Sequence, residues 1–323
     1  MRVCLMIEGQ QGVSWEQWLD LAATTEGAGL EGLFRSDHYL SIGSGGNELG
    51  SHDAWTTLAG LAARTSRIRL GTMVSPATFR HPSVLAKSAT AVDHISAGRV
   101  ELGIGAGWYE EEHRVYGFPF PPLSERMEIF EEQIAIVHGQ WSEGSFDFSG
   151  RHYRLEGCGG LPKPVQRPRP PIIVGGAAGR RTVAAAVRFA DEYNTTFADA
   201  ETCRERRQRI ERACDRAGRD PASLVFSLMT TCLVGSDRHD LRARAGRFLE
   251  RGGGGDVDAF LRDHDDGWIV GTVAEAAEQL RGLADAGVER VMLQHLVHED
   301  LEMVEILGRE LTPAVADAEP ARR

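Results

Sequence analysis

The strongest constraint in this sequence is a repeated change of period. Short apolar runs, suited to strands buried on both faces, alternate with stretches whose apolar residues step at helical spacing. The first run is 3–7. Ser14, followed by Gln17, then opens a helix in which Trp15, Trp18, Leu19 and Ala22 share a face, and Gly27 and Gly29 end it. Runs at 32–35, 68–74 and 100–105 follow, separated by helices at 53–63 and 82–96. The rhythm then breaks. Residues 106–171 hold a helix (Met127, Phe130, Ile134, Val137, Trp141), a hairpin of 146–148 against 153–155, and the proline-rich segment 161–171.

Alternation resumes with runs at 172–174, 192–196, 225–234 and 290–294. Helices are expected to about 190 and over 201–217, 273–286 and 299–311. Eight strands with helices between them predict a (β/α)8 barrel, a TIM barrel with insertions. It is expected as one domain over 1–312, with an insertion at 106–171 and a mobile glycine-rich loop at 251–256. Residues 313–323 are expected to fray.

Bulk properties narrow the function. A net charge of −11 argues against a nucleic-acid role. Only Lys87 and Lys163 are lysines, so 34 of the 36 basic residues are arginine, and a Schiff-base mechanism has little to work with. The five cysteines form no C-x-x-C pair, which indicates neither a disulfide framework nor a zinc site. No apolar run approaches the roughly 18 residues of a membrane span, and the opening strand turns polar at Glu8, too early for a leader. A cytoplasmic enzyme is expected, acting on a small molecule, with no nucleic-acid or membrane partner.

In such a barrel the residues just past the strands face the ligand. They include Glu8, Asp37 and His38, 72–75, 105–108, Gly175 and Gly176, 194–196, Thr231, and Gln294 with His295. Metal ligands are scarce among them. His295 and His298 form H-x-x-H on a loop without a third ligand nearby, so no metal is expected. Asp37 and His38 could position a ligand and move a proton, or could be a loop cap and a structural hydrogen bond. Gly103, Gly105 and Gly107 would admit a flat ring, although their spacing is not a dinucleotide fingerprint. Gly175 and Gly176 precede a helix with Arg180 and Arg181, which suits a phosphate as well as an ordinary glycine turn.

Taken in order, several segments resemble the luciferase-like monooxygenase superfamily, especially its branch using the deazaflavin coenzyme F420. They are Ser36-Asp37-His38, Leu70-Gly71-Thr72-Met73-Val74, and Gly103-Ile104-Gly105-Ala106-Gly107-Trp108. Further along come Gly117-Phe118-Pro119-Phe120, Pro162-Lys163-Pro164, Ile173-Val174-Gly175-Gly176 and Gly287-Val288-Glu289-Arg290-Val291. The resemblance implies a cofactor across the strand ends and a non-prolyl cis peptide at Met73-Val74. It implies that Asp37, His38, Thr72, Met73, Val74, Ala106 and Gly107 bind the ring, and that Gly175 and Gly176 hold the phosphate.

The implied reaction is hydride transfer between F420 and an unidentified small organic substrate. His38 is the candidate for the accompanying proton, because an imidazole titrates near working pH. Glu112, at the start of a short helix, is the second candidate and could instead only cap it. Trp108 stands where the superfamily's sugar-phosphate dehydrogenase carries an acidic Glu, and that enzyme's phosphate-gripping lysines have no counterpart, which disfavours glucose 6-phosphate. The alternatives are an FMN-dependent two-component monooxygenase on the same barrel and a non-catalytic flavoprotein. A homodimer is possible by resemblance. The substrate pocket is expected from 39–52, the insertion between Trp108 and Pro171, and the glycine run at Gly252.

Overall fold

The computed structural model describes residues 1–42 and 49–318. β1 (Arg2–Ile7), α1 (Trp15–Ala28) and β2 (Gly32–Arg35) come first, followed by α2 (Ala54–Ala62), β3 (Arg69–Thr72) and the two-residue β4 (Ser75–Pro76). Next are α3 (Pro82–Ile95), β5 (Val100–Gly105), α4 (Glu110–Tyr116), α5 (Leu123–Trp141), the hairpin strands β6 (Phe146–Ser149) and β7 (Arg154–Cys158), and β8 (Ile172–Gly175). α6 (Arg180–Phe189), β9 (Glu192–Thr196), α7 (Ala200–Ala217) and β10 (Val225–Gly235) lead to α8 (Arg238–Arg251) and α9 (Val257–Arg262). β11 (Ile269–Thr272), α10 (Val273–Asp285), β12 (Arg290–Gln294) and α11 (Leu301–Ile306) complete the series. Part of the expected substrate pocket, 43–48, lies outside the described residues.

Two compact units divide the chain. The first comprises Met1–Glu8, Val13–Phe34 and Asn194–Arg323. In it β12 pairs in parallel with β1 (Arg290 opposite Arg2) and with the first half of β10 (Arg290 opposite Ser227). The second half of β10 pairs with β11, Cys232 opposite Ile269. That division of one long strand explains β11, which the alternation did not reveal. α8 was also unforeseen, although Asp237 caps it by accepting from the Asp240 N–H. α1 starts and stops as its sequence dictates: Ser14 and Gln17 form a capping box, and Gly29 closes it at φ 88°.

The tail departs from expectation. Residues Thr312–Ala314 are helical and Val315 is fully buried. The Met1 ammonium donates to the Val315 and Ala318 carbonyls at 2.9 and 2.7 Å. A buried apolar anchor and a charged terminus hold residues 313–318 where fraying was expected, and 319–323 lie outside the described residues.

The second unit comprises Gly9–Gly12 and Arg35–Tyr193. β5 is its central strand, parallel to β3 (Val100 opposite Leu70) and to β8 (Leu102 opposite Ile172). Phe130, Ile134, Val137 and Trp141 of α5 are buried, as their spacing requires, and the Trp141 indole N–H donates to Thr90 of α3. The proline-rich segment is tied down by buried Asp93, which accepts the Val165 and Gln166 N–H groups at 2.6 and 3.0 Å. Among the described residues no helix is long and apolar enough to cross a membrane.

Candidate functional site

The end of β2 carries a connected polar cluster. Asp37 is 1% exposed and cannot stay charged there without partners. Its carboxylate accepts from the Ser75 hydroxyl at 2.6 Å and from both terminal nitrogens of Arg80, at 2.5 and 3.1 Å. Arg80 also donates to the Tyr39 hydroxyl at 3.0 Å and to Asp53 at 2.5 Å, and Tyr39 in turn donates to Asp53 at 2.8 Å. Burial alone would lower the Arg80 pKa, but Asp37, Tyr39 and Asp53 more than offset it and raise the value. Burial likewise favours the neutral Asp53, yet the Thr56 N–H and Arg80 hold it well below the usual carboxylate range. The carboxylate of Asp37, a residue expected to line a ring, is paired with Arg80.

His38 follows Asp37 and keeps 14% of its side chain exposed. Its Nδ1 lies 2.8 Å from Glu112 Oε2. Glu112, in the first turn of α4, is fully buried; its other oxygen accepts the N–H groups of Tyr39 and, at 3.0 Å, Leu40. Glu112 therefore does not cap its own helix. It reaches across to pin the backbone after His38 and to orient the imidazole. Arg80 holds the residues on either side of His38, and Glu112 holds His38 itself.

After β3 the chain makes a tight passage. The Met73-Val74 peptide bond is cis. Thr72 is fully buried, its hydroxyl donating to the Gly103 carbonyl at 2.9 Å. Met73 is almost buried, and its N–H donates to the Arg35 carbonyl. Val74 is half-buried and explains the glycines of neighbouring strands. A Cβ on Gly103 would stand 2.0 Å from the Thr72 carbonyl oxygen, one on Gly105 2.9 Å from Val74 Cγ2, and one on Gly175 3.1 Å from Val74 Cγ1. The glycine motif thus makes room for 72–74 before it makes room for anything else.

Past β5, Ala106 and Gly107 are half-buried, and Gly107 takes φ 81°. A Cβ there would approach Thr78 Oγ1 to 2.9 Å. Trp108 follows, stacked on Tyr109 (centroids 5.2 Å, planes 23° apart) and edge-on to His38 at 5.8 Å. His113, one turn on, donates from Nδ1 to the Tyr109 carbonyl at 2.7 Å, so Nε2 accepts the Thr78 hydroxyl at 2.6 Å. Burial lowers its pKa, in keeping with that neutral tautomer.

Beyond β8, Gly175 and Gly176 lead into α6. Its N-cap is Gly179, with no side-chain cap. The Ala178 N–H donates to the Tyr193 hydroxyl at 2.8 Å, and a Cβ on Gly176 would stand 3.0 Å from that hydroxyl. Arg181 forms a two-point ion pair with Glu131, both contacts 2.7 Å, while exposed Arg180 has no ion-pair partner among the described residues. An uncapped helix start with adjacent cations is chemically suited to an anion.

The strand ends of the first unit differ. Thr231 donates to Gln294, which donates to Glu8, both at 2.5 Å. Thr195 is fully buried and takes a hydrogen bond from Arg206. His295 is 2% exposed and donates from Nε2 to the Asp300 carbonyl at 3.1 Å. His298 lies beside Glu299 at 3.2 Å. Among the described residues no three or more His, Cys, Asp or Glu gather as a metal site. The sequence reading missed Arg80 and Asp53, and placed Tyr39 and His113 only within the expected substrate-pocket segments. Asp53 showed only as a helix start, and a lone arginine before the Pro82 helix carries no local mark of its two carboxylate partners.

The profile of a family described as luciferase-like monooxygenase matches residues 1–290. An FMNH2-dependent dimethylsulfone monooxygenase of Pseudomonas putida is 25% identical over 97% of this chain and 92% of its own length. An F420-dependent glucose-6-phosphate dehydrogenase of Amycolatopsis mediterranei is 33% identical, over only 51% of this chain and 48% of that one. The solved structure of an F420-dependent secondary alcohol dehydrogenase, in complex with an F420-acetone adduct, superposes with a TM-score of 0.79 at 20% identity, covering 97% of this chain and 98% of that one. The fold is the (β/α)8 barrel foreseen from the alternation.

Proposed function

Because this chain belongs to the luciferase-like monooxygenase family, an enzyme family with F420-dependent and FMN-dependent members, we propose that it transfers a hydride between F420 and a small organic substrate. The observation that carries this reading is the His38–Glu112 pair at the end of β2. Hydride transfer to or from a carbon bearing oxygen requires a proton to move at that oxygen. His38 can move it. With Nδ1–H donated to the buried Glu112 carboxylate, the proton would exchange at Nε2, and Glu112 is the positioning residue behind it. Arg80 serves the same end by fixing Asp37 and Tyr39 on either side.

The residues present fit the coenzyme. Val74, Ala106 and Gly107 offer a half-buried, small-residue surface for a ring beside the nearly buried Met73. The glycine N-cap of α6, which no side chain closes, offers backbone N–H groups to a phosphate beside Gly175 and Gly176. When bound, a deazaflavin supplies or accepts the hydride at its C5 carbon. The full-length likeness to an FMNH2-dependent monooxygenase favours a second reading, an oxygen-using flavin enzyme on the same barrel.

Incubation of oxidised F420 with small alcohols, or of reduced F420 with small ketones, is expected to change the coenzyme's visible absorbance, without oxygen uptake. Oxygen uptake above that of free reduced FMN, with no change in F420, would overturn the proposal in favour of the second reading.

A further inference from the structure

α4 does more than present Glu112. Its next residue, His113, is 1% exposed and sets the polarity of a hydroxyl beside Gly107. The Tyr109 carbonyl can only accept, so the ring hydrogen of neutral His113 is on Nδ1, and Nε2 is left as an acceptor. Thr78 must therefore turn its O–H to Nε2. Phe79 and Phe120 pack on the imidazole, with centroids 5.1 and 4.6 Å away, and help to bury it in its neutral form. The loop that carries Thr78 is fixed separately. The Ala77 N–H donates to the Gly105 carbonyl, and fully buried Gln133 of α5 donates to the Ala77 and Arg80 carbonyls at 3.2 and 2.7 Å.

The result is an oxygen with one polarity. Its single hydrogen is committed, and among the described residues no donor reaches its lone pairs. The hydroxyls nearby differ. Ser75 is used in both directions, accepting from the Trp55 indole N–H and donating to Asp37, and Thr72 is fully buried. Thr78 is half-buried, and Gly107 leaves its oxygen uncovered, since a Cβ there would stand 2.9 Å from it. A hydroxyl oxygen fixed as an acceptor is complementary to a ligand N–H and repels a ligand carbonyl.

We propose that the Thr78 oxygen accepts a hydrogen bond from the imide N–H of a flavin-type ring bound against Ala106 and Gly107. The inference rests on the ring-binding part of the reading above and not on its reaction, because F420 and FMN both carry that N–H. Coenzyme affinity tests it without turnover. Tryptophan fluorescence of the full chain is titrated with oxidised F420, with FMN, and with the N3-methyl derivative of each, which lacks the imide hydrogen. Thr78→Val removes the oxygen at nearly constant volume, and Thr78→Ser keeps it.

Whichever coenzyme binds the unaltered chain should bind about tenfold more weakly to Thr78→Val and within about threefold to Thr78→Ser. Its N3-methyl derivative should bind the unaltered chain and Thr78→Val within about threefold of each other, because the contact is already lost. Equal coenzyme binding by Thr78→Val, an equal loss for the coenzyme and its N3-methyl derivative, or no binding of either coenzyme would overturn the proposal. Binding of FMN in place of F420, with the same loss in Thr78→Val, would overturn the F420 reading and still support this contact.

Discussion

Two histidines sit just past barrel strands, and the chain treats them in opposite ways. His38 follows β2 in the unit built from Arg35–Tyr193, and His295 directly follows β12 in the other unit. His38 remains partly exposed and is oriented by a carboxylate. His295 is buried, its Nε2 fixed on a carbonyl, and burial pushes its pKa from 6.5 down to about 4, against the opposing pull of Asp300. Phe248, Phe260 and Trp268 line the small apolar cavity it borders. A histidine at a strand end is thus not a functional group by position. It becomes one when its partner is charged and solvent still reaches it; complete desolvation turns it into a neutral structural donor.

Substitutions can break that contrast. His38→Ala is expected to lower turnover by about 10²–10⁴-fold, with a stability loss of about 1–3 kcal/mol from the Glu112 oxygen left without its partner. Loss of folding with no specific catalytic defect would make His38 a second His295. Arg80→Met leaves the Asp37 carboxylate buried without its counterion, and a urea titration should register a loss of about 3–5 kcal/mol.

The His295 side of the contrast is read through pH. Between about pH 6.5 and 4 the unfolded chain binds a proton that the folded chain refuses at this position. Stability therefore rises with pH across that window and falls on acidification, by up to about 3 kcal/mol. His295→Gln keeps a neutral donor without the titration, so its melting temperature should vary less over the same range. An unchanged pH slope would mean that His295 is not the buried neutral group described. The smallest effect is expected at Trp108. Exposed as it is, Trp108→Ala should shift stability by no more than about 0.5 kcal/mol, whatever it does to ligand binding.

Much of the fold was legible because it is local. The spans 192–196 and 290–294 coincide with β9 and β12, and the capping box at Ser14 marks α1. β11 was hidden because four residues before a helix carry little periodicity, and it exists only as a partner for the far half of β10. The site was legible in its anchors and not in its pairings. His38 and Glu112 are far apart in the chain, as are Asp37 and Arg80, and no spacing rule links them. Gly103 and Gly105 read as room for a ring and Gly175 as a phosphate turn, whereas their nearest neighbours are Thr72 and Val74. A single sequence shows which residues need space or charge compensation; it does not show which neighbour supplies it.

The central claim is that these strand ends and the uncapped start of α6 hold a deazaflavin. Equilibrium titration of the full chain with F420 and with FMN, followed by tryptophan fluorescence, tests it most directly. F420 is expected to bind at least about tenfold more tightly than FMN, a difference of about 1.4 kcal/mol. Tighter binding of FMN, or failure of both coenzymes to bind, would contradict it.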